Sequence, residues 1–309
     1  MDRKRKPLIL LMLSLCLNLF STGQMDSPSE ISRLPNEIEP FSFTDSRGVS
    51  RVFQEYPRKV VSLGPNMTET IFALDRGDLL IGRTDFCDFP EEVSLIPSVG
   101  NLIEPNMETI VNLDPDLIIA STHVSLEVLE KLESFGIPTV MIYGEENFDG
   151  MKSVISGCAT LLNAEEEGTA LLQDISTRLE AVGQRVSQMR YHPSCYYALG
   201  FGDGGDWTAG GSTFINELLS LAGGKNIAAD QSGWSYSKEL LVSKQPEIII
   251  LNRGLKKEFL SLPVYDGLKA SLNDRVFEID ENILVRQGPR QITALEELTL
   301  IMESALDQP

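Results

Sequence analysis

Two aliphatic runs, Leu117-Ile118-Ile119 and Ile248-Ile249-Ile250, carry no polar alternation, the pattern of parallel strands buried on both faces. Both are introduced in the same way. Asn106-Met107-Glu108-Thr109-Ile110-Val111-Asn112-Leu113-Asp114-Pro115-Asp116 leads into the first, and Tyr236-Ser237-Lys238-Glu239-Leu240-Leu241-Val242-Ser243-Lys244-Gln245-Pro246-Glu247 into the second. In each copy a Glu lies seven residues before a Pro, an apolar pair follows the Glu closely, and an acidic residue separates the Pro from the aliphatic run. Proline has no backbone donor and pushes the preceding residue out of the α region, so each copy predicts a short helix that stops at the Pro and feeds a strand. A unit of this kind present twice implies two similar lobes, not a solenoid. Helix-Pro-strand is also ordinary connective grammar in α/β proteins; the matched glutamates set this pair apart. Each Glu sits in a first helical turn, where it complements the helix dipole or, being exposed, addresses a partner with two equivalent basic sites.

The remaining pattern fills in an α/β chain. Phe41-Ser42-Phe43-Thr44 and Val49-Ser50-Arg51-Val52 alternate on either side of Asp45-Ser46-Arg47-Gly48, a hairpin signal. Lys59 to Leu63 predicts the first core strand, Gly64-Pro65-Asn66 a tight turn, and Met67 to Leu74 a helix; such a junction is where α/β folds place ligands. A second strand, Leu79 to Gly82, opens into Arg83-Thr84-Asp85-Phe86-Cys87-Asp88-Phe89-Pro90, whose aromatic and acidic residues either line a pocket or pack the lobe. His123 follows the Leu117 strand, Ser125 to Phe135 predicts a helix capped by Gly136, and Ile137 to Ile142 the next strand. Residues 147–190 keep a helical spacing, broken near Asn163, with Ile175, Leu179, Val182 and Val186 on one face. The second half offers strands at Cys195 to Leu199 and Arg275 to Ile279, a Gly-rich loop from Gly200 to Gly205, helices from Phe214 to Ala222 and Gln291 to Leu306, and the loop Arg286-Gln287-Gly288-Pro289-Arg290. The glycines lack a phosphate-loop Lys and do not fit the dinucleotide spacing.

The N-terminus changes where this fold is expected to work. Asp2-Arg3-Lys4-Arg5-Lys6 is a basic region, Leu8 to Phe20 an apolar core too short to span a membrane, and Ser21-Thr22-Gly23 a peptidase site, so residues 1–23 read as a secretory signal and 24–40 as a flexible leader. A lipoprotein reading would acylate Cys16, but Leu15 before it is large, which ranks that second. The expected location is periplasmic or otherwise extracytoplasmic. Removing the signal, with four basic residues and one acidic one, takes the net charge from −19 to −22, which argues against nucleic acid and for a basic protein face as partner. Cys87, Cys158 and Cys195 remain, enough for one bridge whose pairing the sequence leaves open.

The chemical inventory favours binding over turnover. There are only two histidines, His123 and His192, no nucleophile elbow and no zinc-spaced ligand set, so neither an enzyme nor an intrinsic cofactor is expected. His123, beside a strand end, is a candidate axial ligand for cobalt or iron, against the commoner alternative of an ordinary loop histidine.

The order Val60 to Glu69, Cys87-Asp88-Phe89-Pro90, Ser98-Val99-Gly100, Pro105-Asn106-Met107-Glu108, Pro115 to Ile119, Trp207-Thr208-Ala209-Gly210 and Arg286 to Arg290 resembles the cobalamin-binding branch of the periplasmic binding proteins that serve ABC importers. The wider family also carries haem and ferric siderophores. The resemblance spans residues 41 to 306. It implies two Rossmann-like α/β lobes with parallel-rich sheets, 41–146 and 191–309, joined by a long helix within 147–190, with ligand in the cleft between them and little hinge motion. It also implies a monomer that delivers a corrinoid or iron chelate to a dimeric ABC permease, docking through Glu108 and Glu239 onto arginines. The expected cleft residues are Asn66, Met67, Phe86, Asp88, Phe89, Trp207, Trp234 and Arg286. Met67 stands where the family often has a small residue, and Asn101-Leu102 replaces a more aromatic segment. A corrin, a broad apolar disc edged with amides, suits aromatic walls; an anionic siderophore would want Arg83 or Arg286. Outside the family, the rival readings are an enzyme or an acidic adhesion protein.

Overall fold

The hairpin expected around Gly48 forms from β1 (Phe41–Thr44) and β2 (Ser50–Phe53) in a computed structural model that describes residues 39–305. The expected signal, Cys16 and all but the end of the expected leader lie outside the described residues. Asp45 builds the turn: its carboxylate accepts from the backbone N–H groups of Arg47 and Val49 and from the Arg47 guanidinium.

The first lobe then runs β3 (Val60–Leu63), α1 (Pro65–Ala73), β4 (Leu80–Arg83), α2 (Met107–Leu113), β5 (Leu117–Ala120), α3 (Leu126–Ser134) and β6 (Thr139–Met141). Its four strands are all parallel, in the order β4-β3-β5-β6. The segment 147–190 is two helices, α4 (Phe148–Leu161) and α5 (Glu165–Ser187), and the chain turns between them at Asn163, in the left-handed region at φ 51°. With 23 residues, α5 is about 34 Å long.

The second lobe comprises β7 (Ser194–Ala198), β8 (Asp206–Trp207), α6 (Phe214–Leu221), β9 (Lys225–Asn226), β10 (Ser235–Tyr236), α7 (Lys238–Lys244) and β11 (Ile248–Asn252). It continues through α8 (Lys256–Phe259), α9 (Lys269–Leu272), β12 (Val276–Ile279), α10 (Glu281–Val285) and α11 (Gln291–Ser304). Its main sheet is again four parallel strands, β12-β11-β7-β9, while β8 and β10 form a separate antiparallel pair. Counted in chain order within each lobe, both sheets run second-first-third-fourth.

The repeated sequence unit occupies the same place in both lobes and has the same details. α2 and α7 each have seven residues; Asn106 and Ser237 cap them by accepting from the N–H groups of Thr109 and Leu240. Both end on a left-handed residue directly before the Pro, Asp114 at φ 50° and Gln245 at φ 46°. The acidic residue after each Pro has a structural job. Asp116 accepts from the N–H groups of Arg58 and Lys59 at 2.8 and 3.0 Å, and Glu247 accepts from that of Ser194 at 3.0 Å, so each secures the start of the neighbouring strand. Burial pushes the Glu247 carboxyl up, but bonds from Tyr191, Ser194 and Lys269 outweigh that and hold it at about 2.

Both faces of each sheet are covered, which is why the strand sequences do not alternate. Val61, Leu63 and Ile118 pack on the outer side of the first sheet, and Tyr196, Ile249 and Leu251 on that of the second. The inner faces share one apolar layer, in which Val60, Leu117 and Ile119 of the first sheet and Tyr197, Ile248 and Ile250 of the second join Ile155 of α4, Ile175 of α5 and Leu295 of α11. Arg178 pairs with Glu296 at 2.6 Å, and Arg185 with Glu303, fastening α5 along α11. Cys87, Cys158 and Cys195 are all buried and free, and burial pushes the Cys158 and Cys195 thiols up to about 12.

Candidate functional site

In the first sheet the connection leaving β3 goes one way, to β4, and the strand on its other side is β5. Crevices open at such a reversal, beyond the C-terminal ends of the strands. A cavity of about 440 Å³ lies here, lined from this lobe by Pro65 and Asn66 after β3, Thr122 and His123 after β5, Tyr143 and Glu146 after β6, and Phe86 and Leu102. The second lobe closes it with Phe214 and Ile215 at the start of α6, Trp234, and Asn282 to Gln291 around the α10–α11 junction. Gly64 permits the turn after β3: a Cβ there would lie 2.7 Å from the Ser121 hydroxyl of the adjacent strand end.

Across the cleft, lobe-to-lobe bonds are polar and specific. Asn66 donates to the Gln287 carbonyl at 3.3 Å and Gln287 donates to the Glu145 carbonyl, while the Phe148 N–H at the start of α4 joins the connecting segment to the second lobe by donating to Glu217 at 3.0 Å. The strongest tie is ionic. Glu69 on α1, its side chain 2% exposed, accepts from Arg286 at 2.8 Å and from Arg290 at 2.7 and 2.8 Å. Arg286 also pairs with Asp88 at 2.6 Å and donates to the Phe86 carbonyl at 3.1 Å, while Arg290 lies 4.0 Å over the Phe89 ring. Burial pulls the Arg286 guanidinium down, but Asp88 and Glu69 outweigh it and hold it above its ordinary value. Asp88 is the mirror case: burial raises it, Arg286 outweighs burial, and its carboxyl sits below the usual range.

Of the expected cleft residues, Asn66, Phe86, Trp234 and Arg286 line the cavity, as does His123. Phe86 is 54% and Trp234 41% exposed, so both present open aromatic faces. The rest fall elsewhere. Met67 is a correction: α1 starts at Pro65, which turns Met67 onto the sheet-facing side, and its side chain is wholly buried in the shared apolar layer. Asp88 is committed to Arg286 and Phe89 to Arg290, both outside the lining. Trp207, 49% exposed, sits on β8 opposite Ser235, also outside the lining. Arg83 is not on the cavity either. Tyr143, Gln287 and Phe214 line it without having been singled out from sequence as cleft residues; Tyr143 stands just past a strand end, a position a strand-end rule would have caught, whereas Gln287 lies in the loop between α10 and α11.

Glu108 and Glu239 are both exposed, each the second residue of its helix. Neither is in an ion pair with another described residue. The Ser237 hydroxyl, at 2.5 Å, helps hold the Glu239 carboxyl below its usual range. A helix that feeds a parallel strand runs against it, so both glutamates sit at the strand ends that border the cleft.

Comparison with known proteins bears on what such a cleft holds. The sequence profile of a family described as periplasmic binding protein matches residues 60–283. An uncharacterized ABC transporter substrate-binding lipoprotein of Bacillus subtilis is 28% identical over 281 residues, 88% of each chain. A vitamin B12-binding protein of Photorhabdus laumondii is 28% identical over 245 residues, covering 78% of this chain and 86% of its own. Among solved structures, the apo form of a periplasmic heme-binding protein from Roseiflexus superposes with a TM-score of 0.74 at 25% identity, over 80% of this chain and 98% of its own.

Proposed function

The chain belongs to the periplasmic binding protein family, and from that premise we propose that it captures a corrinoid outside the cytoplasm and hands it to an ABC importer, with no chemistry of its own. One observation carries the choice of ligand. The cavity wall is aromatic and aliphatic, punctuated by the amides of Asn66, Asn282, Gln287 and Gln291, the hydroxyl of Thr122 and the carboxylate of Glu146, and its one guanidinium, Arg286, is already paired with two carboxylates. A neutral, amide-edged disc suits that wall better than an anionic siderophore, which would need a free cation. The likeness to a vitamin B12-binding protein supports the same reading.

Titration of the purified protein with cobalamin, haem and a panel of ferric siderophores tests it. Saturable cobalamin binding should quench Trp234, and Trp234→Ala should weaken binding by about 1–3 kcal/mol while leaving the unfolding midpoint nearly unchanged. Binding of an iron chelate at submicromolar concentration, with none of cobalamin, would sink the corrinoid reading.

A second reading, a haem carrier, is favoured by His123 and Tyr143 on the same cavity wall, since imidazole and phenolate both ligate haem iron. The likeness to a heme-binding structure points the same way. If haem is the ligand and His123 its axial group, His123→Ala should shift the absorption spectrum of the complex; an unaltered spectrum removes His123 from that role.

For delivery, Glu108 and Glu239 are the proposed contacts with the importer, one per lobe, each facing arginines of one half of a dimeric permease.

A further inference from the structure

We propose that Glu69, which does not touch the cavity, sets the ligand charge that the cleft accepts. The inference rests on the reading of the cleft as a ligand site, though not on which ligand occupies it.

Four charged groups meet behind the Phe86 side of the cleft: the guanidinium groups of Arg286 and Arg290 and the carboxylates of Glu69 and Asp88. The set is balanced, two against two. Of the four, Arg286 alone reaches the cavity wall, and an arginine stays protonated at any physiological pH, so how much positive charge it presents there depends on its counter-ions. Asp88 is a weak one for this purpose, because its side chain is 56% exposed and screened by water. Glu69 is buried and bridges both guanidinium groups, where a charge acts at full strength.

The arginines have anchors that do not involve Glu69. Arg286 donates to the Phe86 carbonyl, and Arg290 stacks on the Phe89 ring. Neutralising Glu69 therefore leaves both cations seated beside the cleft, with Asp88 as the sole counter-ion. The wall then loses one negative charge from behind it while Glu146 on the lining is unchanged, and an anionic ligand gains what a neutral one of the same shape does not.

The test uses ligand pairs of nearly the same shape and different charge: cyanocobalamin against its monocarboxylic acid, in which one side-chain amide is hydrolysed, and haem dimethyl ester against haem. Whichever pair the wild-type protein binds is carried forward, so failure of the corrinoid reading shows as absence of cobalamin binding and leaves this comparison intact. In Glu69→Gln the affinity ratio of anionic to neutral ligand should rise roughly tenfold, by strengthened anion binding. Mere loosening of the site would weaken both ligands and leave the ratio where it was. Asp88→Asn keeps the buried pairs and should move the ratio the same way by a smaller factor; if Glu69→Gln is not recovered folded, this variant decides. An unchanged ratio in the folded variants overturns the proposal.

Discussion

Glu69→Ala is expected to cost about 3 kcal/mol of folding stability, within the range of about 3–5 kcal/mol for breaking a buried ion pair by removing one partner. The lower end applies because both guanidinium groups retain some contact with solvent, their side chains being 12% and 20% exposed. The loss comes less from forfeited attraction than from what is left behind. Arg290 loses its one ion-pair partner among the described residues, and Arg286 is left leaning on Asp88. Urea unfolding monitored by circular dichroism measures the change, and a double-mutant cycle with Arg290→Ala isolates the coupling. A loss below about 1 kcal/mol would mean that the four-group cluster is a surface feature and no tie between the lobes.

Replacing both Glu108 and Glu239 by Ala is expected to lower importer association on the order of tenfold or more and to depress uptake in proportion, while ligand affinity stays at the wild-type value. Exposed pairs are worth only about 0–1 kcal/mol each, but two anchors that become desolvated together at an interface contribute more. Losing a first-turn carboxylate from each helix should cost stability by no more than about 1 kcal/mol apiece. Uptake by a transporter reconstituted in vesicles separates the two effects, and normal uptake by the double variant would defeat the docking assignment whatever its melting temperature. The two sites are equivalent in detail, in helix length, cap, left-handed end and exposure, which is what a partner built of two like halves requires.

Much of this architecture was legible because it is local. The aliphatic runs, the Pro stops, the break at Asn163 and the left-handed Gly136 after α3 each follow from a few neighbouring residues. The repeat went further, since a shared helix-Pro-strand unit turned out to mark lobes with the same strand order. Misplacements came from orientation and from distance along the chain. Whether Met67 faces cleft or sheet depends on which side of α1 the sheet lies, and no spacing within nine residues gives that. Asp88 and Phe89 were correctly grouped with Phe86, yet their partners are about 200 positions away in Arg286 and Arg290. Glu69 carries no local signal for the same reason: its partner Arg286 lies 217 residues downstream. Trp207 on β8 and Trp234 just before β10 are both exposed and close together, yet only Trp234 lines the cavity.

The apolar layer shared by both sheets bears on traffic at the importer. Spreading the lobes apart would expose a hydrophobic seam that both sheets share with α4, α5 and α11. With the lobes held together in this way, an empty receptor would keep nearly the same outline as a loaded one, and the proposed contacts Glu108 and Glu239 would stay at the same separation. On the proposed function, docking would then not be licensed by a closed shape, and vacant receptors would queue for the same berth as full ones. The loaded form would be distinguished by what fills the mouth of the cleft, so the cargo itself, beside Phe86 and Trp234, would become part of the surface that the importer reads.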